Sequence, residues 1–170
     1  MSRPRVHCIV VGFLLLLAAV GLVPAVASAF TATLSIPDLC ANPIDVVLFS
    51  LETSNTATSG GGGGGGAGRP TIKPLVVSKA PDDCSPLLFR TVFRGEHIRT
   101  ATLQVTTGKG GFTIGLTDVL ITDLKTEFAK NGTGVSNDVV LESITLDSAS
   151  LSFTSGGTTV SCSEDTNLCN

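Results

Sequence analysis

The stretch RTATLQVTTGKGGFTIGLTDVLIT, Arg99 to Thr122, constrains the fold more than any other part of the chain. Apolar residues recur at every second position, first as Ala101, Leu103 and Val105, then as Phe112, Ile114 and Leu116. GKGG separates the two runs. A period of two with a glycine-rich break predicts an antiparallel hairpin with one face buried and one solvated. Other runs follow the same rule: FTATLSI, bounded by Pro37; IDVVLFSLET from Ile44; TIKPLVVSKA, where Pro74 suggests an edge or bulge; and VVLESITLDSASLSFT. About seven antiparallel strands of this kind close into a barrel or pack as a sandwich. In the last run the apolar phase shifts, from Ile144 and Leu146 to Ala149, Leu151 and Phe153, which predicts a bulge or sharp bend at Asp147-Ser148.

One segment breaks the pattern. PDDCSPLLFRTVFRGEHI reads as a short helix, with Ser85 as N-cap, Pro86 at the first helical position and Gly95 just past the end. Leu88 with Val92 and Phe89 with Phe93 form i,i+4 pairs, and these four residues are the expected packing face against the sheet. On that reading Phe89→Ala costs roughly 3–5 kcal/mol.

The chain begins with Arg3 and Arg5, an apolar run from Ile9 to Val23, then Pro24 and Ala27-Ser28-Ala29. This is the pattern of a secretory signal peptide over residues 1–29, placing the mature protein in the periplasm or outside the cell with no membrane attachment after cleavage; the alternative is a retained signal-anchor, since Cys8 to Ala29 is nearly long enough to span a bilayer. Loss of Arg3 and Arg5 leaves nine basic residues against 14 acidic ones, a net charge of −5. Such a balance offers no basic patch for nucleic acid. Cys8 departs too, leaving Cys40, Cys84, Cys162 and Cys169 as disulfide candidates with three possible connectivities. The close pair Cys162 and Cys169 suits a clip over a small C-terminal loop, which leaves Cys40 for Cys84.

Residues 30–154 make one domain, interrupted at residues 60–68 by a glycine-rich loop that buries nothing, and residues 155–170 form a cysteine-containing tail. Nothing in this domain assembles a catalytic centre. His97 is the one histidine after the signal peptide, so a site of several imidazoles is excluded, and paired short cysteine spacings for zinc are missing. Cys84 and His97 stand at opposite ends of the expected helix, roughly 15–20 Å apart. His97 reads as a polar residue of the turn after the helix. No serine sits in a nucleophile elbow, the glycine run lacks the Lys-Ser/Thr ending of a phosphate loop, and Asp82, Asp83, Asp118, Asp123 and Glu142 are scattered. Asn131-Gly132 reads as a tight turn. Neither an enzyme nor a cofactor is expected.

Ser85-Pro86-Leu87-Leu88-Phe89 and Gly95-Glu96-His97-Ile98 resemble the SP-x-LF…G-x-HI segment of the haemolysin-coregulated protein (Hcp) family, which forms the tube of the type VI secretion system. Leu34 to Asp38, Val47 to Ser50, Leu116 to Ile121 and Glu142 to Leu146 match further landmarks in order. The resemblance covers about Thr31 to Thr154. It implies a mainly β fold, an antiparallel β-barrel with one short flanking α-helix. It also implies self-association into rings of six that stack into a tube, with effector or spike proteins as further partners. The signal peptide, the run of glycines and the cysteine-bearing tail depart from the family pattern. The alternative is a monomeric secreted barrel that binds a ligand or surface without forming a ring. Few charges interrupt TIKPLVVSKA or ATLQVTT, so these are the strands expected at open edges, fit for a neighbour.

Overall fold

A computed structural model describes residues 30–55, 70–129, 139–163, 166 and 168–170. The signal-peptide segment, the glycine-rich loop and Asn131-Gly132 lie outside the described residues. The chain runs β1 (Thr31–Ser35), β2 (Ile44–Ser50), β3 (Thr53–Asn55), β4 (Pro70–Ile72), β5 (Leu75–Lys79), α1 (Ser85–Arg94), β6 (His97–Thr107), β7 (Gly110–Ala129), β8 (Val139–Ser155), β9 (Thr158–Ser163) and β10 (Leu168–Cys169).

The sheet closes on itself in the order β8-β5-β2-β1-β6-β7 and back to β8, which makes a six-stranded antiparallel barrel. β9 and β10 extend it beyond β8, and β3 pairs with β4 as a separate ribbon. Closure removes the open edges that the sequence suggested. β5 lies between β2 and β8, and β6 between β1 and β7, so neither is free for a neighbour. Strand pattern marks which side of a strand is apolar, whereas edges depend on pairing between distant segments. The β6–β7 hairpin forms as its alternation requires, with Leu103 opposite Ile114 and Val105 opposite Phe112. Leu34, Leu75, Val77, Leu103, Ile144 and Leu146 fill the interior at 1 % exposure or less.

The expected bulge at Asp147-Ser148 is not there. β8 pairs with β7 in unbroken register across it, Leu120 with Asp147 and Val119 with Ser148, and the register shift falls in β7 between Ile121 and Asp123. The phase change itself is shared by three strands. The buried residues switch from Ile98 to Ala101 in β6, from Leu116 to Val119 in β7 and from Leu146 to Leu151 in β8. All three switches fall between the rows Thr100–Thr117–Ser150 and Ile98–Val119–Ser148 or span them. Asp118 has a φ of 51°, a left-handed conformation uncommon for a residue with a side chain. Across these rows β8 exchanges β5 for β9 as its neighbour.

Helix α1 ends as expected. Gly95 has a φ of 61°, its N–H donates to Val92 O and that of Glu96 donates to Thr91 O, a Schellman closure that a side chain at position 95 would strain. The start differs. Cys84 holds the N-cap position with no side-chain cap, Ser85 is the first helical residue and Pro86 the second. Asp82 takes the capping role, its Oδ1 accepting from the backbone N–H of Cys84 (2.9 Å) and of Ser85 (3.2 Å). Proline remains tolerated there because the first-turn N–H groups lack intrahelical partners.

The packing face also differs. Leu88 is fully buried and Val92 half-buried, but Phe89 is 65 % and Phe93 85 % exposed, their rings stacked on each other at 6.4 Å. The seam runs through Cys84, Leu88 and Thr91, with Leu87 and Val92 flanking it. At 100° per residue Phe89 and Phe93 lie on the far side of the helix from the centre of that seam. Thr91 hides the seam in the sequence, because a polar residue occupies a core position; its buried Oγ1 has no hydrogen-bond partner among the described residues.

Candidate functional site

The helix is fastened to the barrel by a buried polar cluster. In β5 the inward alternation Leu75, Val77 continues to Lys79, and in β8 that of Leu146, Ile144 continues to Glu142. Register sets these two residues opposite each other. Lys79 is fully buried; its Nζ donates to Glu142 Oε2 (2.8 Å), Ser85 Oγ (2.9 Å) and Ala80 O (2.8 Å), and lies 3.0 Å from Asp82 Oδ1. Ser85 Oγ donates to Glu142 Oε2 (2.6 Å) and accepts from the Asp82 N–H (2.9 Å). Every donor on the ammonium has an acceptor, which offsets the cost of burying the charge. The serine expected as a cap thus joins helix to strands instead. The alternation alone places Lys79 and Glu142 inside; their pairing is what the sequence did not reveal.

Next to this cluster Cys40 and Cys84 are joined as a buried disulfide, tying the helix start to the segment after β1. A shallow groove of about 430 Å³ runs over it, bordered by Asn42, Asp45, Asp82 and Asp83. Cys162 and Cys169 form the second disulfide, across β9 and β10. With Cys84 bridged, it offers no thiolate to His97. His97 opens β6 on the surface and lies 2.8 Å from Asp118, Nδ1 to Oδ1. Arg99 grips Asp38 through Nε (3.0 Å) and Nη2, and this hydrogen bonding holds the Asp38 carboxyl below the usual carboxylate range. Among the described residues no three His, Cys, Asp or Glu side chains gather to hold a metal, and no helix is long and apolar enough to cross a membrane.

Large apolar side chains reach the surface in several places. Phe30, Phe49, Phe112 and Phe153 run across one end of the barrel, with neighbouring ring centroids 5.2 to 6.3 Å apart. Val47 and Leu48 stand outward on β2, and Phe128, Val139 and Val140 on the part of the β7–β8 hairpin beyond β5. The Phe89–Phe93 pair adds a further outward apolar surface on the helix.

A family model described as "Type VI secretion system effector, Hcp" matches residues 38–156. The chain belongs to the Hcp family. No curated protein matches it significantly. Among solved structures it is similar to Hcp1 from Salmonella typhimurium, at 17 % identity over 84 % of this chain and 99 % of that one, with a TM-score of 0.66. A structure titled as a type six secretion system protein gives 20 % identity over 84 % and 100 %, with a TM-score of 0.69. The secreted protein Hcp3 from Pseudomonas aeruginosa gives 20 % over 79 % and 98 %, with a TM-score of 0.59. Identities this low speak for a shared fold. The Hcp barrel with one short helix is therefore the fold of this protein, as the SPLLF and GEHI segments implied.

Proposed function

We propose that this Hcp-family protein is a tube-forming subunit of type VI secretion, assembling with five further copies into a ring and stacking ring on ring. Family membership over residues 38–156 carries the reading. The apolar surfaces on the barrel end, β2, the hairpin and the outer face of α1 support it, since a ring subunit meets neighbours on two sides and stacked rings above and below. The protein works as a structural element without turnover or cofactor, with effector or spike proteins of the secretion machine as its further partners. Residues 1–29 act as an export leader, so assembly takes place in the periplasm or outside the cell, where Cys40–Cys84 and Cys162–Cys169 persist.

Electron microscopy of the oxidised protein lacking residues 1–29 tests this. Rings with an open centre and sixfold averages support it. Featureless single particles of one chain's size would favour the monomeric binding barrel.

A further inference from the structure

The C-terminal hairpin follows the residues that the family model matches. β9 reads TTVSCS: it carries no charge and no proline, and β-branched residues fill its first half. Its inner side pairs with β8, from Ser155–Thr158 to Ser150–Ser163. An uncharged strand of that length at the margin of a sheet is a template for addition of another strand. β10 lies on its outer side. The Ser161 N–H donates to Asn170 O (3.0 Å) and the Asn170 N–H to Ser161 O (2.9 Å). β10 lies against Ser161 to Ser163 and leaves Thr158 to Val160, so a six-residue margin is cut to one of three residues, too short to template a partner.

Little but covalent chemistry holds β10 in place. Leu168 is 63 % exposed and Cys169 is exposed, so the strand buries almost no apolar surface against the cost of ordering its backbone. Cys169 stands directly opposite Cys162, with their Cα atoms 4.1 Å apart, near the spacing of about 4.5 Å in a non-hydrogen-bonded pair of neighbouring strands.

We infer that the Cys162–Cys169 disulfide is an edge guard: it pins β10 over Ser161 to Ser163 and so closes β9 against strand addition by a second copy of this chain. The second copy is the fitting occupant because antiparallel β9–β9 pairing is its own complement under a two-fold axis. It sets one uncharged edge on another without like-charge repulsion. A dithiol opens the guard. Two electrons pass to the Cys162–Cys169 bond, each cysteine sulfur takes a proton from the dithiol, and the dithiol closes to its own disulfide. The exposed Cys169 is open to that attack.

The test is Cys162→Ser/Cys169→Ser in the chain over residues 30–170, with Cys40–Cys84 kept oxidised, read by amide hydrogen exchange and sedimentation against the parent. Exchange at Ser161 and Asn170 should quicken by about tenfold or more while Leu103 and Val105 in the barrel keep their protection. The variant should sediment as larger species than the parent, and Val160→Lys added to it should restore the parental distribution. Parental protection at Ser161 and Asn170 overturns the inference, as does an unchanged size distribution or a Val160→Lys variant that still associates. If barrel protection falls as well, both readouts are taken on the parent after brief dithiol treatment and thiol trapping, which reaches the exposed disulfide before the buried one. The same results then decide. Each readout is a change relative to the parent, so a failure here and a failure of the ring are seen separately.

Discussion

The two sides of α1 obey different physics. Toward the barrel, Leu88 is buried among apolar side chains, and Lys79, Glu142 and Ser85 bond together beneath the first turn. Away from it, Phe89 and Phe93 offer more apolar surface than Leu88 yet touch each other and solvent. In an isolated subunit the inner side carries the stability while the outer side contributes little to it. What the outer side holds is surface suited to another molecule. The sequence does not separate the two sides, since Phe89 and Phe93 are as apolar as the Leu87, Leu88 and Val92 that face the barrel.

Breaking the inner side should have the largest effect. Lys79→Ala leaves Glu142 buried without its cation and should destabilise the subunit by about 3–5 kcal/mol in denaturant unfolding. Leu88→Ala empties a closed core position and should cost about 3 kcal/mol by the same measurement. Phe89→Ala should cost less than about 1 kcal/mol, well below the cost for a buried ring, because the side chain gains its contacts outside the core. A loss near that of Leu88→Ala would erase the contrast between the two sides. The smallest effect concerns the surface pair Asp38–Arg99. Hydrogen bonding lowers the folded carboxyl's pKa, so its contribution is complete above the ordinary aspartate pKa and disappears as pH falls through the lowered value. Asp38→Asn should therefore remove a small stabilisation at neutral pH, leave stability below the lowered pKa unchanged, and so flatten the acid limb of the profile.

The hairpin of β6 and β7 was legible because its information is local: alternation, a glycine turn and alternation again. Gly95 was legible for the same reason, as a left-handed residue that ends a helix. The Lys79–Glu142 pair joins residues 63 positions apart, and only the register of β5 on β8 brings them together. Phe89 and Phe93 misled because hydrophobicity shows that a face is apolar, and says nothing of whether the subunit itself or another molecule covers it. Thr91 misled in the opposite sense, as a polar residue in the buried seam. At Asp147-Ser148 the phase change was visible in β8, but the accommodation involves Asp118 in β7 and the change of neighbour from β5 to β9. A single strand's sequence cannot display that. Of the candidate site, the cysteines and the helix C-terminus stood out, whereas the helix start and the outward apolar surfaces required the folded barrel.

The most direct test is the solution mass of the oxidised chain over residues 30–170, followed by sedimentation equilibrium across a wide concentration range. The subunit described here, a sealed barrel with apolar surface left outward, should give six times the chain mass at micromolar concentration. A mass of one chain at every concentration would contradict it.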